Sequence, residues 1–165
     1  MKLSYQGIQD KQGYAAAQVA LPQYDWAKMA EKTAEKPVWV HFGAGNIFRG
    51  FIAGLQQRLL NAGLAESGIV AAETFDYDII DKIYVPHDSM TLMVSLKADG
   101  STQKEVIASI AKGIKAGDLV KSVCALCGGK GGGKPDSAMG GGKDLLKLDD
   151  ALASVDDFVA VKLGL

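Results

Sequence analysis

Histidine and cysteine are scarce in this sequence, two of each in 165 residues, and aromatic side chains nearly vanish from its second half. His41 and His87 have no serine or cysteine nearby in a nucleophile arrangement, so triad chemistry finds no support. Cys124-Ala125-Leu126-Cys127 has the shape of half a zinc knuckle, but a second ligand pair is missing and neither histidine is close in sequence. A redox C-x-x-C would open a helix after a thioredoxin-type strand, a setting also lacking, so both cysteines are read as structural thiols and no metal site is expected. No apolar run approaches the roughly 20 residues needed to span a bilayer, and no hydrophobic segment follows Met1-Lys2-Leu3-Ser4 as it would in an export signal. The expectation is a cytoplasmic protein without a membrane partner. A formal net charge of −1 provides no global basic field for nucleic acid or anionic lipid. What remains, with 48% hydrophobic residues, is a globular chain with room for about one domain.

The most informative stretch runs from Val38 to Gly50. Val38-Trp39-Val40-His41-Phe42 follows Pro37 and reads as a strand of a parallel sheet buried on both faces, with His41 as a core imidazole. Gly43 permits a tight turn, and Gly45 allows backbone to pass close to a ligand. A helix starting near Asn46 aims unpaired N–H groups at that turn, and Arg49 adds a full charge, which together suit a pyrophosphate. The plain G-x-G-x-x-G fingerprint is incomplete because Phe48 holds its third position, so a strand-to-helix turn in any α/β domain is the competing reading. Ile47, Phe51, Leu55 and Leu59 recur at helical spacing, with an end expected at Asn61-Ala62-Gly63. Gly68 to Glu73 then reads as a second apolar strand ending in a carboxylate. In a βαβ unit that carboxylate accepts hydrogen bonds from a ribose and repels a 2′-phosphate, favouring NAD over NADP.

The runs HFGAGNIFRGF, GIVAAETFDYDIIDKIY and LPQYDWAKM resemble the amino-terminal domain of the mannitol dehydrogenase family, in its hexuronate (mannonate and fructuronate oxidoreductase) branch, over about residues 1–112. The resemblance implies a G-x-G-x-x-F-x-R-type loop in place of the plain fingerprint. It also implies that Gly43, Ala44, Gly45, Asn46, Ile47, Phe48 and Arg49 line the phosphates of NAD, with Glu73 at the ribose-reading position. The implied activity is hydride transfer between NAD(H) and a sugar acid or polyol. In that family a separate helical domain supplies the catalytic lysine. It has no counterpart here, so no catalytic residue is assigned and turnover by the chain alone is not expected.

Elsewhere in this half, residues 1–24 are mixed and polar and read as a surface arm. Asp25 fits as the N-cap of a helix through about Glu35, with Trp26, Met29 and Ala30 on one face. Asp76, Asp78 and Asp81 are read as capping and solvating a short helix whose apolar face is Ile79, Ile80, Ile83 and Tyr84, ended by Pro86. Thr91–Leu96 and Lys104–Ala111 read as two strands joined by an Asp99-Gly100 turn and packed onto the same sheet, with a helix on Val106, Ile107, Ile110 and Ile114 as the alternative for the second.

Near Gly113 the character changes. Of the 12 aromatics, only Phe158 follows Tyr84. Cys127 to Asp136 and Gly140-Gly141-Gly142 are saturated with glycine, as a flexible linker would be. An anion nest with Lys130 and Lys134 as counter-charges is the alternative. Residues 113–165 resemble the carboxy-terminal, DHHA1-type segment of alanyl-tRNA synthetase, including its GGKGGGKPD loop and a closing helix on Leu148, Leu152, Val155, Val159 and Leu163. That likeness implies tRNA as a partner, through Lys130, Lys134, Lys143 and Lys147. The whole is expected as an α/β chain in two parts: an incomplete NAD-binding, Rossmann-like domain over 1–112 and a glycine-rich tail over 113–165. A tail that merely caps an incomplete sheet is the remaining alternative.

Overall fold

The computed structural model describes residues 1–134 and 137–163, so Pro135 and Asp136 of the glycine-lysine loop, and the last two residues, lie outside it. In chain order the elements are α1 (Lys11–Ala16), β1 (Val19–Ala20), α2 (Trp26–Glu35), β2 (Val40–Phe42) and α3 (Ala53–Asn61). There follow β3 (Ile69–Glu73), α4 (Tyr77–Ile79), β4 (Thr91–Leu96), β5 (Thr102–Ile107) and β6 (Ile110–Lys115). The last five are α5 (Ala116–Leu126), β7 (Lys130–Lys134), β8 (Ser137–Gly141), a short 3-10 turn, and α6 (Leu148–Leu163).

A parallel sheet of order β2-β3-β6 forms the centre, as an α/β, Rossmann-like fold requires. β3 is the buried strand: Ile69, Val70, Ala71 and Ala72 have no exposed surface, because strands flank it on both sides and helices cover both faces. On one face Ile69 and Ala71 meet Phe48, Ala53, Ile80 and Tyr84. On the other, Val70 and Ala72 meet Ile114, Val155 and Val159, so α6 of the glycine-rich half lies against the dehydrogenase-like sheet. Lys162 reaching Asp118 at 3.4 Å ties α6 to α5. The tail is docked, and the expected 112/113 division falls inside β6, which pairs with β3 from Ile69↔Ile110 to Glu73↔Lys115.

β2 departs from the reading as a strand buried on both faces. It is an edge strand, with Val38 66% and Phe42 60% exposed, and His41 is only half-buried, its ring stacked 4.1 Å from that of Phe48. The helix after it does not bury the apolar stripe that its spacing marks. Ile47, Phe51, Leu55 and Leu59 are exposed, while Phe48, Ala53, Gly54, Gln57 and Leu60 face inward. A π-turn over Phe48–Ile52 rotates the helix, and the buried amides earn their place by bonding: Gln57 donates to Val106 O and accepts from Ala108 N, both at 2.8 Å.

The hairpin β4-β5 forms a separate sheet with β1, order β1-β5-β4, and does not join the central one. The expected single strand Lys104–Ala111 is split, since the chain leaves β5 at Ile107 and enters the central sheet at Ile110. Residues 1–24 are more than an arm: Ile8 and Tyr14 are buried with Met90 and Val106 under α1 and β1. Other expectations hold. Asp25 accepts from Lys28 N at 3.1 Å as an N-cap, and α3 ends before Gly63 at φ +69°. Ile80 and Tyr84 are buried with Ile79 and Ile83 beside them, although Pro86 sits in the final turn instead of beyond it.

The glycine run is neither linker nor open nest. β7 and β8 form an antiparallel ladder from Lys130↔Gly141 to Lys134↔Ser137, which takes backbone groups a nest would present to an anion. The hairpin lies directly on α5, and a Cβ at Gly140 would overlap Cys124 Sγ. Both cysteines are free and buried at that contact, as structural thiols should be. Cys124 O accepts from Gly129 N at 3.0 Å, and Cys127 O accepts from Lys143 N at 3.0 Å and Asp144 N at 3.1 Å.

Candidate functional site

The carboxyl ends of β2 and β3 lie side by side, and the turn after β2 follows directly from that end of the sheet. Gly43, at φ +104°, reverses the chain in a conformation that disfavours a side chain, and its N–H donates to Ala72 O at 2.8 Å. A Cβ on Gly43 or Gly45 would meet nothing within 4 Å, so the space in front of the turn is open. Helical structure begins at Asn46, and among the described residues no acceptor meets the N–H groups of Gly45, Asn46 and Ile47. These are the unpaired donors of a helix start, directed at open space.

The eight sequence-derived positions divide into two sets. Gly43, Gly45, Asn46, Ile47 and Arg49 line the outside of the turn. Ala44 and Phe48 lie beneath it, 0% and 4% exposed, with Ala44 O accepting from Tyr84 Oη at 3.0 Å. Burial holds that tyrosine hydroxyl protonated, well above the usual phenol range.

Glu73 is also underneath, 6% exposed, with its carboxylate in direct contact with the turn. Its Oε2 accepts from Ala44 N at 2.7 Å. Its Oε1 accepts from the N–H groups of Thr74 and Phe75, each at 2.8 Å, and of Asp76 at 3.3 Å. Burial alone would push this carboxyl up, but the backbone donors outweigh it and hold Glu73 below the ordinary glutamate range. It is therefore a carboxylate at neutral pH, and Oε2, with one donor, retains room for a second.

Arg49 bonds Asn46 Oδ1 through its terminal nitrogen, while its Nε is buried without a partner. Thr91 Oγ1 is a second buried polar atom without one. Both residues line a cleft of about 330 Å³ beside the turn, with Asn46, Ile83 and Met93. Thr91 carried no sequence signal, since a strand threonine is ordinary and only the tertiary fold brings it to Arg49.

The remaining candidates lie elsewhere. Asp78 and Asp81 pair with Lys82 at 2.6 Å and Lys115 at 2.9 Å. His87 bonds Leu3 O at 3.0 Å through Nδ1. Lys130, Lys143 and Lys147 are exposed around the β7-β8 hairpin, and Lys134 ends β7. Residues 113–165 hold seven lysines and seven aspartates, so the tail as a whole carries no net charge.

Comparison with known proteins gives two likenesses. The model of the DHHA1 domain matches residues 68–161, from the start of β3 into α6. D-mannonate oxidoreductase of Thermotoga maritima is 42% identical over 115 residues, covering 70% of this chain and 21% of that protein. An alanine–tRNA ligase of Methanospirillum hungatei is 37% identical over 114 residues, covering 61% of this chain and 12% of the ligase. Among solved structures, mannitol 2-dehydrogenase of Pseudomonas fluorescens, in a ternary complex with NAD and D-mannitol, superposes with a TM-score of 0.59. That match is 22% identical, spans 77% of this chain and 24% of the dehydrogenase, and shows a shared fold. The chain thus spans about a fifth or less of the curated relatives it matches. The dehydrogenase-like and DHHA1-like segments overlap in sequence, as β3 and β6 adjoin in the sheet.

Proposed function

This chain belongs to the DHHA1 domain family, and from that premise we propose that it is a nucleotide-binding module with a docked DHHA1-type tail. Its ligand is NAD(H), held at the turn after β2, in the manner of a polyol or hexuronate dehydrogenase of the cytoplasm. One observation carries the reading: open space lies before Gly43 and Gly45, with three helix-start N–H groups that meet no acceptor among the described residues, while the ionised Glu73 is anchored beneath the turn by Ala44 N. Gly45, Asn46 and Ile47 would donate to the diphosphate, and Arg49 would balance its charge. Glu73 would take a ribose hydroxyl on Oε2 and repel a 2′-phosphate. The unpaired Arg49 Nε and Thr91 Oγ1 fit an anionic oxygen of a bound ligand.

The bound nicotinamide supplies hydride chemistry. The residues of this chain would bind and orient it, and no group here is assigned to hold a substrate carbonyl, so turnover by the chain alone is expected to be weak or absent. The division at 112/113 is proposed as one of ancestry and not of folding. NADH fluorescence titration of the full chain tests the reading: saturable binding is expected, and none at millimolar NADH in a folded sample would remove it.

Family membership and the exposed Lys130, Lys143 and Lys147 favour a second reading, contact with tRNA phosphates at the hairpin, with Lys134 contributing. Such binding would weaken steeply with salt. A mobility shift with tRNA that is absent at low salt, or unaffected by added salt, excludes it.

A further inference from the structure

The turn after β2 is gripped through a single residue. Ala44 has no exposed surface, its N–H donates to Glu73 Oε2 at 2.7 Å, and its carbonyl accepts from Tyr84 Oη at 3.0 Å. The peptide bond from Ala44 to Gly45 is trans, so its C=O and N–H point in opposite directions. A carbonyl drawn inward to Tyr84 therefore turns the Gly45 N–H outward, where Gly45 is exposed and no acceptor among the described residues meets that N–H.

Glu73 fixes the peptide before Ala44, and the peptide after it depends on Tyr84. A glycine on the far side of that peptide leaves its flipped orientation sterically open, so the local chain does not choose between the two. Asn46 and Ile47 differ in this respect. Gly45 O accepts from Arg49 N at 3.0 Å as a bond of the helix start, and the helix itself then aims the Asn46 and Ile47 N–H groups. Of the donors offered to a diphosphate, the Gly45 N–H is the one whose direction Tyr84 sets.

Packing in turn holds Tyr84. It ends a π-turn over Ile80–Tyr84, is 2% exposed, and lies in one cluster with Phe48, Ala71 and Ile80. Gly113 of β6, paired with Ala71, leaves room for its ring: a Cβ there would come 2.6 Å from Tyr84 Cδ1, closer than side chains approach. Burial keeps the hydroxyl protonated and able to donate. We propose that Tyr84 is a positioning residue of the nucleotide site: by holding the Ala44 carbonyl inward it turns the Gly45 N–H toward the diphosphate, and Gly113 gives its ring the place from which to do so. The proposal rests on the reading of this turn as a phosphate seat, and Tyr84 acts in it without touching the ligand.

Proton–nitrogen correlation spectra of the full chain, titrated with inorganic pyrophosphate, test this, with NADH fluorescence alongside. In the parent chain the Gly45, Asn46 and Ile47 amides should all shift. In Tyr84→Phe, which keeps the ring and removes the hydroxyl, the Gly45 response should be lost while those of Asn46 and Ile47 persist. NADH affinity should fall roughly fivefold, the worth of one hydrogen bond. Gly113→Ala, which keeps the hydroxyl and displaces the ring, should give the same selective loss, and it decides the matter if Tyr84→Phe does not fold. A folded variant in which all three amides respond as in the parent overturns the proposal and leaves the phosphate seat standing. Loss of all three in a folded variant also overturns it, because a general structural role would do that. A parent chain in which none responds removes the phosphate seat itself, and the proposal with it.

Discussion

At the scale of single residues, Glu73 has the most consequences. One of its four backbone donors, Ala44 N, fastens the end of β3 to the turn after β2, and the other three fix the turn that follows β3, so one side chain both shapes this end of the sheet and charges it. Glu73→Gln leaves a donor amide facing at least one N–H, at a cost of about 1–3 kcal/mol at neutral pH. The folded-state pKa lies below the unfolded one, so this stabilisation is present above the ordinary glutamate range and is lost as pH falls through the folded value. Urea denaturation should therefore find the variant weaker at pH 7 and the gap closing in acid. A gap that persists undiminished at low pH would show that the charge is not what matters. The importance of Glu73 was legible in the sequence, as a carboxylate at the end of an apolar strand, but its bond to Ala44 N was not. A ribose and a backbone amide make the same demand on a carboxylate, and only tertiary structure says which is near.

At the scale of elements, periodicity gave helices reliably and their orientation less so. Ile47, Phe51, Leu55 and Leu59 form a true helical stripe, yet the π-turn at Phe48–Ile52 and the bonds of Gln56 and Gln57 turn the opposite face inward. A stripe at the right spacing marks one face of a helix, not the face that packs inward. The glycine run misled for a related reason. Composition suggested a linker, whereas β7-β8 needs glycine because α5 lies directly against it. Gly140→Ala should consequently destabilise the protein by about 1–3 kcal/mol through overpacking against Cys124. Adding Cys124→Ala, which removes the opposing sulfur, should recover part of that loss in a double-mutant cycle, while additive losses would place the strain elsewhere.

At the scale of the whole molecule, two ancestries share one sheet. β3, where the DHHA1 match begins, lies between β2 and β6, and α6 covers the face of β3 that Val70 and Ala72 form. The α/β class and both family likenesses could be read from short runs such as HFGAGNIFRGF and the GGKGGGKPD loop. That the halves form one packed unit could not, because Val155 and Val159 meet Val70 and Ala72 only after both parts have folded. The space before the turn after β2 is open, so a substitution pointing into it should alter binding without altering stability. Gly45 is that position, with no positive φ and nothing within reach of an added Cβ. Fluorescence titration with NADH, run in parallel on the full chain and on Gly45→Val, is the most direct measurement. The account predicts saturable binding by the former and at least a tenfold loss in the latter at unchanged melting temperature. Absence of binding to the folded parent chain, or equal affinity in both, would contradict it.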